Sequence, residues 1–277
     1  MNTKRPYTHI LKNLFHEQAA EIIPLLLPGY QVEQVLDIDM PELRTIETED
    51  ADPPSEFEQG LVKLAMPDAT LINTIHTEWI EHSGNFERAY RIQTAKTEKP
   101  VYMVFEFQLE REDKKDIALR LLSHLATVNV RVAEEIEPGH KKTTKKKTKE
   151  KEYYVDAAIL CPFPQDVPAP IRETMLTFNF KAISLWEKDA RELLNTHVSA
   201  IYFLLPTMKN ADAALLGLAI EELAQRFQGD DIELGRHLTG LSLLLQQSET
   251  MSEAEKLATQ AHLKRFAHLI KDDPDDE

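Results

Sequence analysis

A chain of 277 residues with 42% apolar and 29% charged side chains can build one full hydrophobic core plus a smaller appendage, and its composition excludes collagen-like, mucin-like and wholly disordered classes. The net charge of −15 argues against a general nucleic-acid coat, because phosphate contacts supply most non-specific affinity. Cys161 is the only cysteine, no apolar run approaches the ~18 residues of a membrane span, and the Lys4-Arg5-Pro6 start lacks an apolar signal core, so we expect a cytoplasmic protein without disulfides or membrane partners.

In chain order, Ile10, Leu11, Leu14, Phe15, Ala19, Ile22, Ile23 and Leu26 recur at helical spacing and predict one core-facing helix, stopped by Pro28-Gly29. Residues 34–47 read as extended with Pro41 inside, and 49–58 as an acidic loop. Asp68 is a candidate cap for a short helix carrying Leu71, Ile72, Ile75, Trp79 and Ile80, which Gly84 ends. Residues 47–85 are therefore an excursion from the core. Two strands follow, 86–94 and 100–109, joined by a hairpin-length link at 95–99.

Ile117, Leu121, Leu122, Leu125, Val128 and Val132 make the stripe of a helix that packs on the sheet and closes at Pro138-Gly139. No apolar residue occurs from His140 to Glu152, so 139–152 is a loop, with seven lysines and one glutamate between Lys141 and Lys151. Residues 153–161 and 177–185 read as a third and fourth strand. Helices are then predicted at 187–194, 211–227, 232–247 and 252–270, the last opened by the capping box Ser252-x-x-Glu255. The division is an α/β core at 1–190, a helical extension at 191–271 and an acidic tail at 272–277.

Several chemistries fall away. Gly235-Arg-His-Leu-Thr-Gly240 is the nearest approach to a phosphate-cradling loop, but Leu241-Ser242 stands where lysine and a hydroxyl are needed, and the segment reads as helix. Neither Gly-x-Ser-x-Gly nor His-Glu-x-x-His occurs, so serine hydrolase and zincin readings lack their geometry. No nucleotide or organic cofactor is expected. His124 and His197 each stand alone on expected helices in structural or surface roles, and Cys161 is expected to be buried packing.

Glu106 and Gln108 carry the chemistry. A strand period of two puts both on one face of Val104-Phe-Glu-Phe-Gln-Leu109. A glutamate inside such an apolar run is costly to bury without a cation. If the hairpin brings Glu87 alongside, two carboxylates and a backbone carbonyl make the oxygen-rich, partly open shell that magnesium accepts. Such an ion activates water and neutralises charge on a phosphodiester.

The order helix, carboxylate strand, hairpin, Glu-x-Gln strand, helix resembles the PD-(D/E)XK nuclease superfamily, and in particular the Rpn family of recombination-promoting nucleases and putative transposases. The resemblance also rests on Ile23-Pro-Leu-Leu-Leu-Pro28, Asp37-Ile-Asp-Met-Pro41, Leu119-Arg120, Phe180-Lys-Ala-Ile-Ser-Leu-Trp-Glu-Lys-Asp-Ala-Arg-Glu-Leu-Leu194 and Leu204-Leu-Pro206, covering about residues 8–230. It implies an α/β fold, a restriction-endonuclease-like mixed sheet flanked by helices with an all-α C-terminal extension. It also implies a Mg²⁺- or Mn²⁺-dependent DNA endonuclease linked to recombination or transposition. Glu87 and Glu106 would hold the metal, with the Phe107 carbonyl a further ligand, and Glu87, Glu106 and Gln108 would be catalytic. Glu87 stands where the family usually has aspartate, Gln108 in place of lysine, and Thr8-His9 where many members are acidic. Losing one charged stabilising donor costs about 2.7–4 kcal/mol, so modest activity is expected.

Arg120 matches the family's arginine and either meets a phosphate of DNA, holds Glu106 by a bidentate pair, or lies on the helix surface. The lysine segment is either an arm for DNA phosphates or a solvated insertion. A homodimer through the C-terminal helices is a further expectation. The rival to the nuclease is a catalytically degenerate relative that binds DNA or protein, and outside the family, an acidic interaction protein whose Glu106 is paired with Arg120 or Arg88.

Overall fold

The first apolar stripe folds as two helices, not one: α1 (Thr8–Glu17) and α2 (Ala19–Leu26). The break falls at Gln18 (φ −107, ψ 12), whose N–H bonds the Phe15 carbonyl at 3.2 Å while its side chain reaches His237 at 2.7 Å. Pro24 lies inside α2 and has no N–H to offer the carbonyl one turn back. Lys188 Nζ donates to the Leu26 carbonyl at 3.1 Å and closes the C-terminal end of α2. Gly29, at φ +88, then reverses the chain. The computed structural model describes residues 8–36, 88–94, 97–109, 114–132, 153–164, 167–168, 170–172 and 177–270, and the backbone of 42–46 and 76–80. The lysine segment 139–152, the acidic tail 272–277 and most of the excursion 47–85 lie outside the described residues.

The strands are, in order, β1 (Tyr30–Leu36), β2 (Glu42–Ile46), β3 (His76–Ile80), β4 (Arg88–Thr94) and β5 (Thr97–Phe107). Helix α3 (Lys114–Arg131) leads to β6 (Tyr154–Cys161), β7 (Ile171–Arg172), β8 (Thr177–Phe178) and β9 (Lys181–Ser184). The main sheet has the order β1-β4-β5-β6-β9; β1, β4 and β5 are antiparallel, while β5, β6 and β9 are parallel. The fold is thus α/β with a five-stranded mixed sheet flanked by helices.

Three expectations change. Residues 76–80, assigned to the end of a helix, form a strand antiparallel to β2; Thr77, Trp79 and Ile80 are β-formers, and pairing outweighs the helical spacing read from Leu71 onward. The stretch 177–185 splits, β8 pairing with β7 while β9 joins the main sheet, because its two halves find different partners. The hairpin is tighter than its predicted link, with Thr94 already paired to Thr97. Pro100 is tolerated within β5 because it sits beside the register shift at Ile92/Thr94 and before pairing with β6 starts at Val101.

From Trp186 on the chain is helical: α4 (Ala190–Leu194), α5 (Ala213–Arg226), α6 (Asp231–Gln247) and α7 (Glu253–Leu263). Asp189, Asp212 and Asp230 are their N-caps, and the Ser252/Glu255 capping box is formed. The last helix stops at Leu263, and Lys264–Phe266 tightens to a 3₁₀ turn. A nine-residue 3₁₀ helix, Ser199–Thr207, is buried at every position. Sequence periodicity missed it, since the continuous apolar run Ala200–Pro206 distinguishes no face. Among the described residues no helix is long and apolar enough to cross a membrane.

Strand alternation divides the core. Met103, Phe105, Phe107 and Leu109 face α1, α2 and the C-terminal helices in one cluster. Tyr102 and Val104 face Ile117, Leu121 and Val128 of α3 in the other. Phe15 stacks on Phe105 at 5.0 Å between ring centres. The rejected glycine motif lies inside α6, where both glycines permit close approach. A Cβ at Gly235 would stand 2.7 Å from the Leu269 carbonyl oxygen, and one at Gly240 would meet Leu14 Cδ2 at 3.0 Å. Alanine normally favours a helix interior by about 1 kcal/mol, but at Gly235 we expect a net loss of about 1–2 kcal/mol from the forced shift. Urea unfolding of Gly235→Ala checks this; an unchanged midpoint would mean the Leu269 backbone yields freely.

Candidate functional site

The site grows from the end of β5. Glu106 follows Tyr102 and Val104 at a period of two, so it points to the α3 side of the sheet, and Gln108 follows on the same face. The strand is central, with β4 on one side and β6 on the other, and Glu106 pairs in register with Ile159. Pairing runs past the strand's end, where the Gln108 N–H donates to the Leu160 carbonyl at 2.9 Å. Both residues therefore stand at the carboxyl ends of two adjacent parallel strands, the place where open α/β sheets hold ligands.

Glu106 is 0% exposed and Gln108 2%. An ionised carboxylate at that depth requires a cation, and α3 supplies Arg120. Arg120 Nε donates to Glu106 Oε1 at 3.1 Å, Nη2 donates to the same oxygen, and Nη2 also donates to Gln108 Oε1 at 3.1 Å. The geometry differs from the expected two-pronged pair: the guanidinium converges on one carboxylate oxygen and spends its third contact on the amide. Among the described residues, Glu106 Oε2 is left buried without a hydrogen-bond partner. Of the pairings open to Glu106, Arg120 is the one formed; Arg88 pairs opposite Phe105, one strand position away and so on the other face of the sheet.

The structure thus brings together Glu106, Gln108 and Arg120. Glu87 lies outside the described residues, immediately before the last described β4–β5 pair of Arg88 with Phe105. Among the described residues no group of three or more His, Cys, Asp or Glu side chains is arranged to hold a metal ion. Sequence reasoning passed over Ser123, three residues beyond Arg120 on α3, whose Oγ is also buried without a partner. The Arg120-x-x-Ser123 spacing was its one signal, and that spacing occurs on ordinary solvated helices.

Other singled-out residues take structural places. Cys161 is buried, as expected, on the α3 side of β6, and His124 is buried on α3. His197 is not helical: it occupies a left-handed turn at φ 55 after α4, with Nδ1 3.1 Å from Glu222 Oε1. Compared with known proteins, the chain matches no family model, no curated protein and no solved structure.

Proposed function

We propose that this chain is a metal-dependent DNA endonuclease of the PD-(D/E)XK type, built on a restriction-endonuclease-like core and acting in recombination or transposition. The observation that carries the reading is the bare Oε2 of a fully buried Glu106 beside Gln108, at the carboxyl ends of β5 and β6. A buried carboxylate oxygen with no donor fits one position of a hard cation's oxygen shell. The element order supports the same reading: two helices, the antiparallel main-sheet strands β1, β4 and β5 with the separate β2–β3 pair between the first two, then α3 and the parallel β6. The reading further requires that Glu87 supply a second carboxylate.

In this scheme Arg120 is a positioning residue. Its hold on Oε1 orients the carboxylate so that Oε2 remains open, and its contact with Gln108 fixes the amide. In this reading Gln108, held at its Oε1 by Arg120, orients a water or a phosphate oxygen. Bound Mg²⁺ or Mn²⁺ would supply Lewis-acid neutralisation of the charge that develops on the phosphate. Hydrolysis adds water across one phosphodiester P–O bond.

One observation favours a second reading, a catalytically degenerate binding module: Arg120 already delivers a full positive charge to the pair. Supercoiled plasmid with Mg²⁺ or Mn²⁺ separates the two. Nicking that disappears in EDTA and in Glu106→Ala is expected. Intact plasmid with folded wild-type protein and either metal would overturn the nuclease and leave the binding module, to be measured by anisotropy of labelled DNA across a salt series.

A further inference from the structure

Leu257 on α7 and Leu218 on α5 are 65% and 64% exposed, each in the middle of an outward helix face. On α7 the exposed residues Ala254, Leu257, Ala258 and Ala261 recur at i, i+3, i+4 and i+7, while Thr259 and Leu263 turn inward. The middle of the face directed at water is thus uncharged, unlike that of a solvated amphipathic helix. Helix α5 extends the patch with exposed Ala214 and Leu218, one turn apart. The two helices lie side by side and run the same way: the position of Gly217 abuts the His262 ring, and Glu221 pairs with Arg265.

The charges beside this face say what covers it. Glu253 and Lys264 stand at opposite ends of α7, eleven positions or about three turns apart, so they border the stripe on the same flank. When two helices pack antiparallel about a two-fold axis, equal flanks meet. Glu253 of each copy then faces Lys264 of the other, and the midpoint of these two charges falls within the Ala254–Ala261 stripe. The alanines allow close approach, and the helix dipoles oppose. Complementarity of this kind needs the same sequence read backwards. The surface contact of Glu253 with Lys256 at 2.8 Å, on a side chain 84% exposed, contributes little and is readily exchanged.

We propose that this face is the interface of a homodimer, formed by antiparallel docking of α7 on α7 of a second copy. The inference stands apart from the nuclease reading and uses none of its residues.

Sedimentation equilibrium of the full chain from roughly 1 to 500 µM tests it, a range set by the small area that one helix pair buries. The average mass is expected to rise from one chain toward two. Leu257→Glu is expected to remain a monomer with unchanged thermal melting. Glu253→Lys and Lys264→Glu should each weaken the dimer several-fold, and the two together should restore it. A wild type that stays monomeric throughout overturns the proposal. So does a Leu257→Glu chain that dimerises as well as wild type, or a double charge swap as weak as the single ones.

Discussion

Arg120→Met is expected to lower the stability of the protein by about 3–5 kcal/mol, the range for removing one partner of a buried ion pair. Glu106 is fully buried, and Arg120 contributes both hydrogen bonds to Oε1. Among the described residues Oε2 has no partner to take up the loss. Methionine keeps the length and apolar stem of arginine, so the effect reports on charge and hydrogen bonding more than on packing. The double variant Glu106→Gln, Arg120→Met leaves a neutral amide where a bare carboxylate would be, and is expected to recover most of the loss. Urea unfolding of wild type, both single variants and the double variant completes the cycle. If Arg120→Met costs less than 1 kcal/mol, the carboxylate is compensated elsewhere, and Arg120 does not position it.

The second large effect is a dependence of stability on pH that originates at His237. Its side chain is fully buried on α6, its ring stacked on Phe227 at 4.9 Å, and its Nε2 2.7 Å from the Gln18 amide nitrogen. An amide N–H directed at Nε2 needs a lone pair there, which protonation would remove. Burial, reinforced by the Arg236 and Arg226 charges, lowers its pKa from 6.5 to about 4. Glu233, 3.9 Å away, and Glu17 are engaged with Arg236 and do not reverse this.

The unfolded chain therefore binds a proton between pH 6.5 and pH 4 that the folded chain refuses. Stability from this group is complete above pH 6.5 and is lost as pH falls through that window, by about 3 kcal/mol in total at 1.36 kcal/mol per unit. His237→Gln removes the titration while keeping a polar side chain opposite Gln18. Its stability is expected to change less between pH 7 and pH 4 than that of wild type, by roughly that amount. Parallel curves for the two proteins would show that His237 is not the group that titrates.

The two sites differ in how far the sequence announces them. A carboxylate in the run Val104 to Leu109 is visible as an anomaly, because a lone charge among β-formers demands a partner. Arg120 is visible as one candidate for that partner, being on the next helix. Convergence of its guanidinium on one oxygen was not visible, since it depends on how α3 lies across the sheet. The Gln18–His237 contact spans 219 positions and left no local signal at all. Neither residue is unusual in its local sequence, and the contact lies where α1 and α6 cross, with Gly240 letting Leu14 in close.

Local rules carried the rest to different distances. Period-two alternation in β5, the helical stripe of α3, the capping box before α7 and the burial of Cys161 follow from residues within a few positions of one another, and these are determined by the sequence itself. The tertiary structure decided three things that depend on distant partners. It turned 76–80 into a strand by pairing it with 42–46, and it broke the first helix at Gln18, beside His237. It also placed the C-terminal helices against α1, α2 and the sheet in one shared cluster, with the buried Ser199–Thr207 segment among them. Periodicity states which face of an element is apolar, but any apolar face satisfies it equally, and only the packed chain selects the partner.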